Sequence, residues 1–178
     1  ALEKCLAALE NAKHGLCFSS GMGAADAVIK LLRPGDEVIA TDDLYGGTYR
    51  MFTKVFANYG IVFHFIDMHD LELVKRTVNA KTKMLWLETP TNPMMKIIDI
   101  HELVAIAKVN SLITLVDNTF ASPYLQNPLD MGADIAMHSA TKYLGGHSDV
   151  VMGALMTNND ALYEQLAFIA NSCGATPG

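Results

Sequence analysis

The residues of this sequence that could do chemistry gather in a few short stretches, and one of them carries a single lysine. Lys142 lies in "HSATKYLGGHSD" (138–149), where small neighbours leave room for a ligand beside its amine. Asp117 follows the apolar run "LITLV" (112–116), and a carboxylate buried there needs a partner. The amine is suited to covalent chemistry with a carbonyl group, and the carboxylate is suited to holding a cation. In the alternative interpretation, Asp117 is a helix N-cap or one side of a structural ion pair.

A second stretch, "SSGMGAAD" (19–26), has the form of an anion-binding turn. A strand that ends in Ser-Gly and continues as a helix leaves free backbone N–H groups at the positive end of the helix dipole, and Gly21 allows an anion to approach them closely. The hydroxyls of Ser139 and Thr141, on either side of an alanine before the lysine, could reach the same anion. The pattern therefore predicts a phosphate site. The simpler interpretation has a serine N-cap followed by turn glycines.

A lone lysine, an acidic partner and a phosphate cup together match the requirements of pyridoxal 5′-phosphate (PLP). Lys142 would hold the cofactor aldehyde as a Schiff base, be displaced by a substrate amine, and then serve as the proton-transfer base. Asp117 would keep the ring nitrogen protonated, so that the ring can draw electrons from a substrate carbanion. Tyr45, which follows the second predicted strand, could stack on the ring face or be an ordinary packing tyrosine.

A dinucleotide cofactor is the competing interpretation. Gly21, Gly23 and Asp42 partly match the fingerprint in which a G-x-G-x-x-G turn precedes an acidic residue by about 20 positions. Asp26 stands where the third glycine should allow close packing of helix on sheet. Because this interpretation also leaves the lysine and the strand-end aspartate unexplained, it ranks second.

Alternating strand and helix patterns must position these residues. Short, nearly continuous apolar runs separated by helical periodicity predict an α/β domain with a mostly parallel, doubly wound sheet and helices on both faces. The predicted strands are residues 15–20, 37–42, 61–67, 82–89, 112–117, 134–139 and 150–157. The predicted helices are residues 2–13, 21–32, 47–60, 71–78, 100–110 and 160–171. Ligands gather at the carboxyl ends of such strands, and the polar residues found there include Asp42, Asp43, Glu88, Asn92, Asn118 and Thr119.

Composition and charge argue against several classes of function. The net charge is −6 and the pI about 5.4, without a cluster of Lys and Arg, which argues against nucleic acid or an anionic membrane as the main partner. No apolar run reaches the roughly 18 residues of a membrane span. Three widely spaced cysteines without a CxxC pair indicate a reducing, cytoplasmic setting. The six histidines lack paired ligand spacing, so no protein metal site is predicted.

Five blocks of the sequence, in order, resemble a known family. They are "SSGMGA", "DDLYGGTYR", "WLETPTNP", "VDNTFASPYLQNPLDMGADI" and "HSATKYLGGHSDVVMG". They are similar to the PLP-dependent enzymes of Cys/Met metabolism, a group that includes cystathionine γ-lyase, cystathionine γ-synthase, cystathionine β-lyase and methionine γ-lyase. The resemblance implies the type I PLP fold (aspartate aminotransferase-like), with a seven-stranded sheet. It also implies a homotetramer assembled as a dimer of dimers, with active sites at the dimer interface.

The resemblance also implies roles for individual residues. Lys142 matches the Schiff-base lysine, Asp117 the partner of the ring nitrogen, and Tyr45 the stacking tyrosine, which is also thought to assist acid–base steps. The remaining matches are Gly21 and Met22 as backbone donors to the phosphate, Ser139 and Thr141 as hydroxyl donors, and Asn92 as the asparagine near the ring hydroxyl.

We expect residues 1–178 to be the PLP-binding large domain, with the family's N-terminal arm and C-terminal domain outside this sequence. The implied reaction is γ-elimination or γ-replacement on cystathionine or a related sulfur amino acid, as in a γ-lyase or γ-synthase. A cystathionine β-lyase or a methionine γ-lyase is the alternative, although Gly47 stands where many methionine γ-lyases have a cysteine. A hypothesis from another class is that this chain alone is inactive and serves only as a folding or dimerisation unit.

Overall fold

Seven strands form one sheet at the centre of the computed structural model, which describes residues 1–178. The strands are β1 His14–Phe18, β2 Glu37–Thr41, β3 Val62–Ile66, β4 Thr82–Glu88, β5 Ile113–Asp117, β6 Ile135–Ser139 and β7 Gly153–Thr157. Their order across the sheet is β1-β7-β6-β5-β4-β2-β3, and β7 alone runs antiparallel to the others. The prediction of a mostly parallel seven-stranded sheet is confirmed.

Helices cover both faces of this sheet. They are α1 Leu2–Leu9, α2 Gly21–Ile29, α3 Gly46–Lys54, α4 Leu71–Thr77, α5 Ile100–Val109, α6 Ser122–Leu125 and α7 Asp160–Cys173, with a short 3-10 turn at Phe56–Tyr59. In β4, Trp86 packs on the face covered by α2, α3 and α7, whereas Leu85 and Leu87 pack on the face covered by α4 and α5. α1 covers the rest of that second face, beside β7. None of the helices combines the length and apolar character needed to cross a membrane.

Side-chain caps explain where several helices begin. Asp70, Asp99 and Asn159 each accept the N–H of the residue three positions later, at 2.9, 3.2 and 3.1 Å, and α4, α5 and α7 start at the next residue. Each cap satisfies one of the N–H groups that a helix leaves without an intrahelical acceptor.

The structure differs from the predicted boundaries in several places, and three of the differences have a local cause. The first helix ends before Glu10, whose side chain turns into the protein interior. The third is interrupted after Lys54, where the Asn58 side chain donates to its carbonyl oxygen at 3.0 Å. The last strand begins only at Gly153, because the preceding segment is hydrogen-bonded to the loop after β6. The short helix α6 was not predicted.

Candidate active site

The carboxyl ends of the central parallel strands and the first turn of α2 enclose a cavity of about 440 Å³. All eight residues that the sequence predicted to bind or react line this cavity: Gly21, Met22, Tyr45, Asn92, Asp117, Ser139, Thr141 and Lys142. A second depression of about 420 Å³ lies between α2 and the 3-10 turn, and it contains none of these residues. The fold therefore brings together side chains that lie more than a hundred positions apart in sequence.

Lys142 occupies the turn that follows β6. Its backbone N–H donates to the Ser139 carbonyl at 3.0 Å, and its own carbonyl accepts the Gly146 N–H at 2.8 Å, so both sides of the turn are fixed. A Cβ atom at Gly145 would lie 2.7 Å from the Ala140 carbonyl oxygen, which explains the glycine there. The lysine amine makes no ion pair within the chain. It is therefore free to react with a group in the cavity.

Asp117 ends β5 and is only 7% exposed. Its Oδ1 atom accepts the Thr119 backbone N–H at 3.0 Å and the Thr119 hydroxyl at 2.6 Å. Its Oδ2 atom has no hydrogen-bond donor within the chain. Burial raises the pKa of this carboxyl, while the two bonds from Thr119 and the nearby His138 act in the opposite direction. A cationic group in the cavity would complete the environment of this carboxylate.

Gly21, the first residue of α2, lies against Ser139 at the end of β6. A Cβ atom at Gly21 would lie 2.8 Å from the Ser139 Cβ and 3.0 Å from its hydroxyl oxygen. The missing side chain therefore lets a serine hydroxyl approach the positive end of a helix dipole. The alternative interpretation of the same turn also holds, because Ser20 is the N-cap and its hydroxyl accepts the Gly23 N–H at 3.0 Å. Both serines line the cavity, but Ser20 also caps the helix, whereas the Ser139 hydroxyl makes no hydrogen bond within the chain.

Thr141 has a more structural position than the sequence suggested. Its hydroxyl accepts the Met152 backbone N–H at 3.0 Å and donates to the Met152 carbonyl at 3.2 Å. This pair of bonds ties the lysine turn to the segment before β7. The hydroxyl of Ser139, in contrast, makes no hydrogen bond within the chain, so it is the freer donor of the two.

Tyr45 precedes α3, and its ring lies over the first turn of that helix. A Cβ atom at Gly47 would lie 2.3 Å from the Tyr45 ring, so the glycine leaves the ring its position beside the cavity. The Tyr45 backbone N–H donates to the Glu88 carboxylate at 2.9 Å. Asn92 follows the end of β4, and its backbone N–H stabilises the anion of the same Glu88 carboxyl. The Asn92 side chain makes no hydrogen bond within the chain.

Glu88 is the main residue of the cavity for which the sequence provided no role. It is 5% exposed, and its pKa is raised to about 8 by burial first and by the Asp117 charge second. Its place at the end of a predicted strand was the available signal. Thr119 gave the same signal, and the structure assigns it the two bonds to Asp117. Thr48, Phe120 and Val151 also line the cavity, and no sequence pattern marked them.

Comparisons with known proteins agree with this geometry. A family model described as Cys/Met metabolism PLP-dependent enzyme matches residues 1–178. A probable cystathionine gamma-synthase of Herpetosiphon aurantiacus is 54% identical over the whole chain, which covers 56% of that relative. A cystathionine beta-lyase of Lactococcus lactis subsp. cremoris is 49% identical over the whole chain, which covers 47% of it. The structure of a cystathionine gamma-lyase from Lactobacillus plantarum complexed with L-serine superimposes with a TM-score of 0.99 at 42% identity, over 100% of this chain and 47% of that one. The chain thus spans about half the length of these proteins.

Proposed function

Because the chain belongs to the Cys/Met metabolism PLP-dependent enzyme family, we propose that it forms the cofactor-binding part of an enzyme that breaks or exchanges a carbon–sulfur bond in a sulfur amino acid. The observation that carries this proposal is the meeting of a free lysine amine, a buried carboxylate and the α2 N-terminus in one cavity. The resemblance expected from the sequence motifs is confirmed by the family match, and the dinucleotide interpretation is not supported.

The residues present fit PLP at three points. The Oδ2 atom of Asp117 lacks a donor within the chain, as a partner for a protonated ring nitrogen should. Gly21 and Met22 begin α2, where backbone N–H groups have no intrahelical acceptor and suit a phosphate. The cradle between Gly21 and the Ser139 hydroxyl would be filled by any larger side chain at position 21.

When bound, PLP supplies an electron sink for a carbanion at the substrate Cα atom. Lys142 would hold the cofactor through its amine and would move the proton between the substrate carbon atoms. Asp117 would keep a proton on the ring nitrogen, and Tyr45 would stack on the ring. Ser139, with the first turn of α2, would hold the phosphate, and Thr141 keeps the lysine turn in place. Asn92, which lines the cavity, would be the partner of the ring hydroxyl.

We favour γ-elimination or γ-replacement on cystathionine or a related amino acid, and the support is a relative described as a probable cystathionine gamma-synthase, at 54% identity. A β-lyase or methionine γ-lyase of the same family is the alternative, because a β-lyase relative is nearly as similar at 49% identity. The residues that line the cavity serve the steps that these reactions share. The products separate the types: cleavage of cystathionine at the γ carbon releases cysteine, whereas cleavage at the β carbon releases homocysteine.

The proposal includes a homotetramer built as a dimer of dimers in the cytoplasm. Three free cysteines support a reducing compartment. Val151, which lines the cavity, and Tyr143, next to Lys142 in sequence, are each 67% exposed, which supports a protein neighbour there. Light scattering on the full-length protein tests the tetramer.

The test of the cofactor chemistry is a covalent label. The full-length protein is mixed with PLP, its visible spectrum is recorded, and borohydride is added to fix the cofactor on its lysine before peptide mapping. We expect the label on Lys142 and none in a Lys142→Ala variant, whereas a label on another lysine would contradict the proposal. The same experiment on residues 1–178 alone tests the alternative of an inactive folding or dimerisation unit, which predicts no stable visible band.

A further inference from the structure

Two buried carboxyls lie side by side on one wall of the cavity. Glu88 and Asp117 are the last residues of β4 and β5, they are register partners across the two parallel strands, and both line the cavity. Neighbouring strands are about 4.8 Å apart, so two negative charges on the same face would repel each other strongly in this buried place. Neither carboxyl forms an ion pair with a Lys, Arg or His side chain.

The surroundings of the two carboxyls are unequal. Asp117 accepts two bonds from Thr119, and His138 behind it also favours its anion. Glu88 accepts the Tyr45 N–H at the start of α3, and the backbone N–H of Asn92 also favours its anion. Against this, Glu88 faces a second negative neighbour, Asp43, in addition to Asp117. Of the pair, Glu88 is therefore the better site for a shared proton, and its pKa is raised to about 8.

The charged and titratable groups that act on Glu88 or share its cavity come from three parts of the chain. They are Asp117 from β5, Asp43 and Tyr45 from the segment between β2 and α3, and Lys142 from the turn after β6. Lys142 is the one cationic side chain among the residues that line the cavity. A single lysine does not neutralise two carboxylates.

We propose that Glu88 carries a proton at neutral pH while Asp117 is ionised, so that the cavity presents one negative charge and one O–H donor to the group it binds. Glu88 is then a positioning residue, which acts through the charge of Asp117 and through the backbone of Tyr45. This inference rests on the proposed function for the identity of the bound ring. The protonation of Glu88 itself depends only on residues of this chain.

The experiment is infrared difference spectroscopy of the full-length protein labelled with ¹³C-glutamate, first without PLP and then with it. We expect the band of a protonated glutamic acid at neutral pH, lost as the pH rises through about 8 in the PLP-free protein. The band should be absent from Glu88→Gln, whose amide keeps an acceptor for the Tyr45 N–H and a donor for the cavity. In the PLP-loaded wild-type protein, the visible spectrum should change with pH over the same range in which the infrared band is lost. In PLP-loaded Glu88→Gln, this pH dependence of the visible spectrum should be absent.

A second variant guards against misfolding of the first. Asp117→Asn removes the negative neighbour, so the loss of the band should move to a pH below 8. A wild-type protein without the band, or a band that persists in Glu88→Gln, would overturn the inference. An unchanged midpoint in Asp117→Asn would also overturn it. If the band behaves as expected but PLP fails to bind, the inference stands and the proposed function fails.

Discussion

The buried pair of Glu10 and His138 supports the ends of β5 and β6, which carry the site. Substitutions of Glu10 test how much this pair contributes to stability. Glu10 is fully buried at the end of α1, and its Oε1 atom lies 2.5 Å from His138 Nε2 and accepts the Asn118 side-chain N–H at 2.6 Å. Asn118 and His138 directly adjoin Asp117 and Ser139 in sequence. The carboxylate therefore joins the end of α1 to both β5 and β6, on the opposite side of the sheet from the cavity.

Replacing Glu10 by Ala removes this acceptor and leaves two polar groups of the interior without it. Breaking a buried pair by removing one partner costs about 3–5 kcal/mol. For a domain of this size about 1 kcal/mol corresponds to about 2–4 °C in Tm, so we expect a fall of about 6–20 °C. Glu10→Gln keeps an oxygen acceptor and should lose less, about 1–3 kcal/mol. The assay is thermal unfolding of residues 1–178 without PLP, followed by circular dichroism.

The chain contains a matched control for this experiment. Asp160 lies 2.6 Å from His14 Nε2, a pair with the same chemistry, but its side chain is 64% exposed. Water solvates the Asp160 carboxylate, which also pairs with the exposed Lys13, so Asp160→Ala should lower Tm far less than Glu10→Ala. Equal effects of the two substitutions would refute the argument that burial gives the Glu10 pair its importance. Glu10→Ala should also weaken PLP binding, which Asp160→Ala should leave unchanged.

Three further predictions concern the cavity. Gly47→Ala should displace the Tyr45 ring and weaken PLP binding about 2–10-fold, which corresponds to the energy of one aromatic contact. Gly46→Ala should have little effect, because a Cβ atom there meets nothing within 4 Å. Fluorescence titration with PLP measures both. Gly21→Ala should weaken PLP binding more strongly, because its Cβ atom would push Ser139 out of the phosphate cup. The same titration measures this effect. Because the pKa of Glu88 is raised, the folded protein keeps a proton that the unfolded chain loses between about pH 4.5 and about pH 8. The free energy of unfolding, measured by urea titration, should therefore fall as the pH rises through this range. Glu88→Gln should flatten this dependence.

Much of the site was predictable because the residues involved carry local signals. The β-α periodicity predicts a parallel sheet, and a parallel sheet places polar strand-end residues on one edge, as with Asp117 and Lys142. The Ser-Gly step before α2 marks a helix start with free N–H groups, as the structure has it at Gly21. These features follow from backbone geometry over a few residues, so the sequence by itself determines them.

Contacts between distant segments were decided only by the tertiary structure. The sequence does not reveal that Glu10 lies against His138, that the Thr141 hydroxyl is bonded to Met152, or that Glu88 is the register partner of Asp117. Each depends on which strands become neighbours and on how deeply a side chain is buried. Burial and a neighbouring charge raise the pKa of a carboxyl, and both are properties of the packed chain. The sequence therefore determines which groups can react, and the packing decides which of them hold a proton.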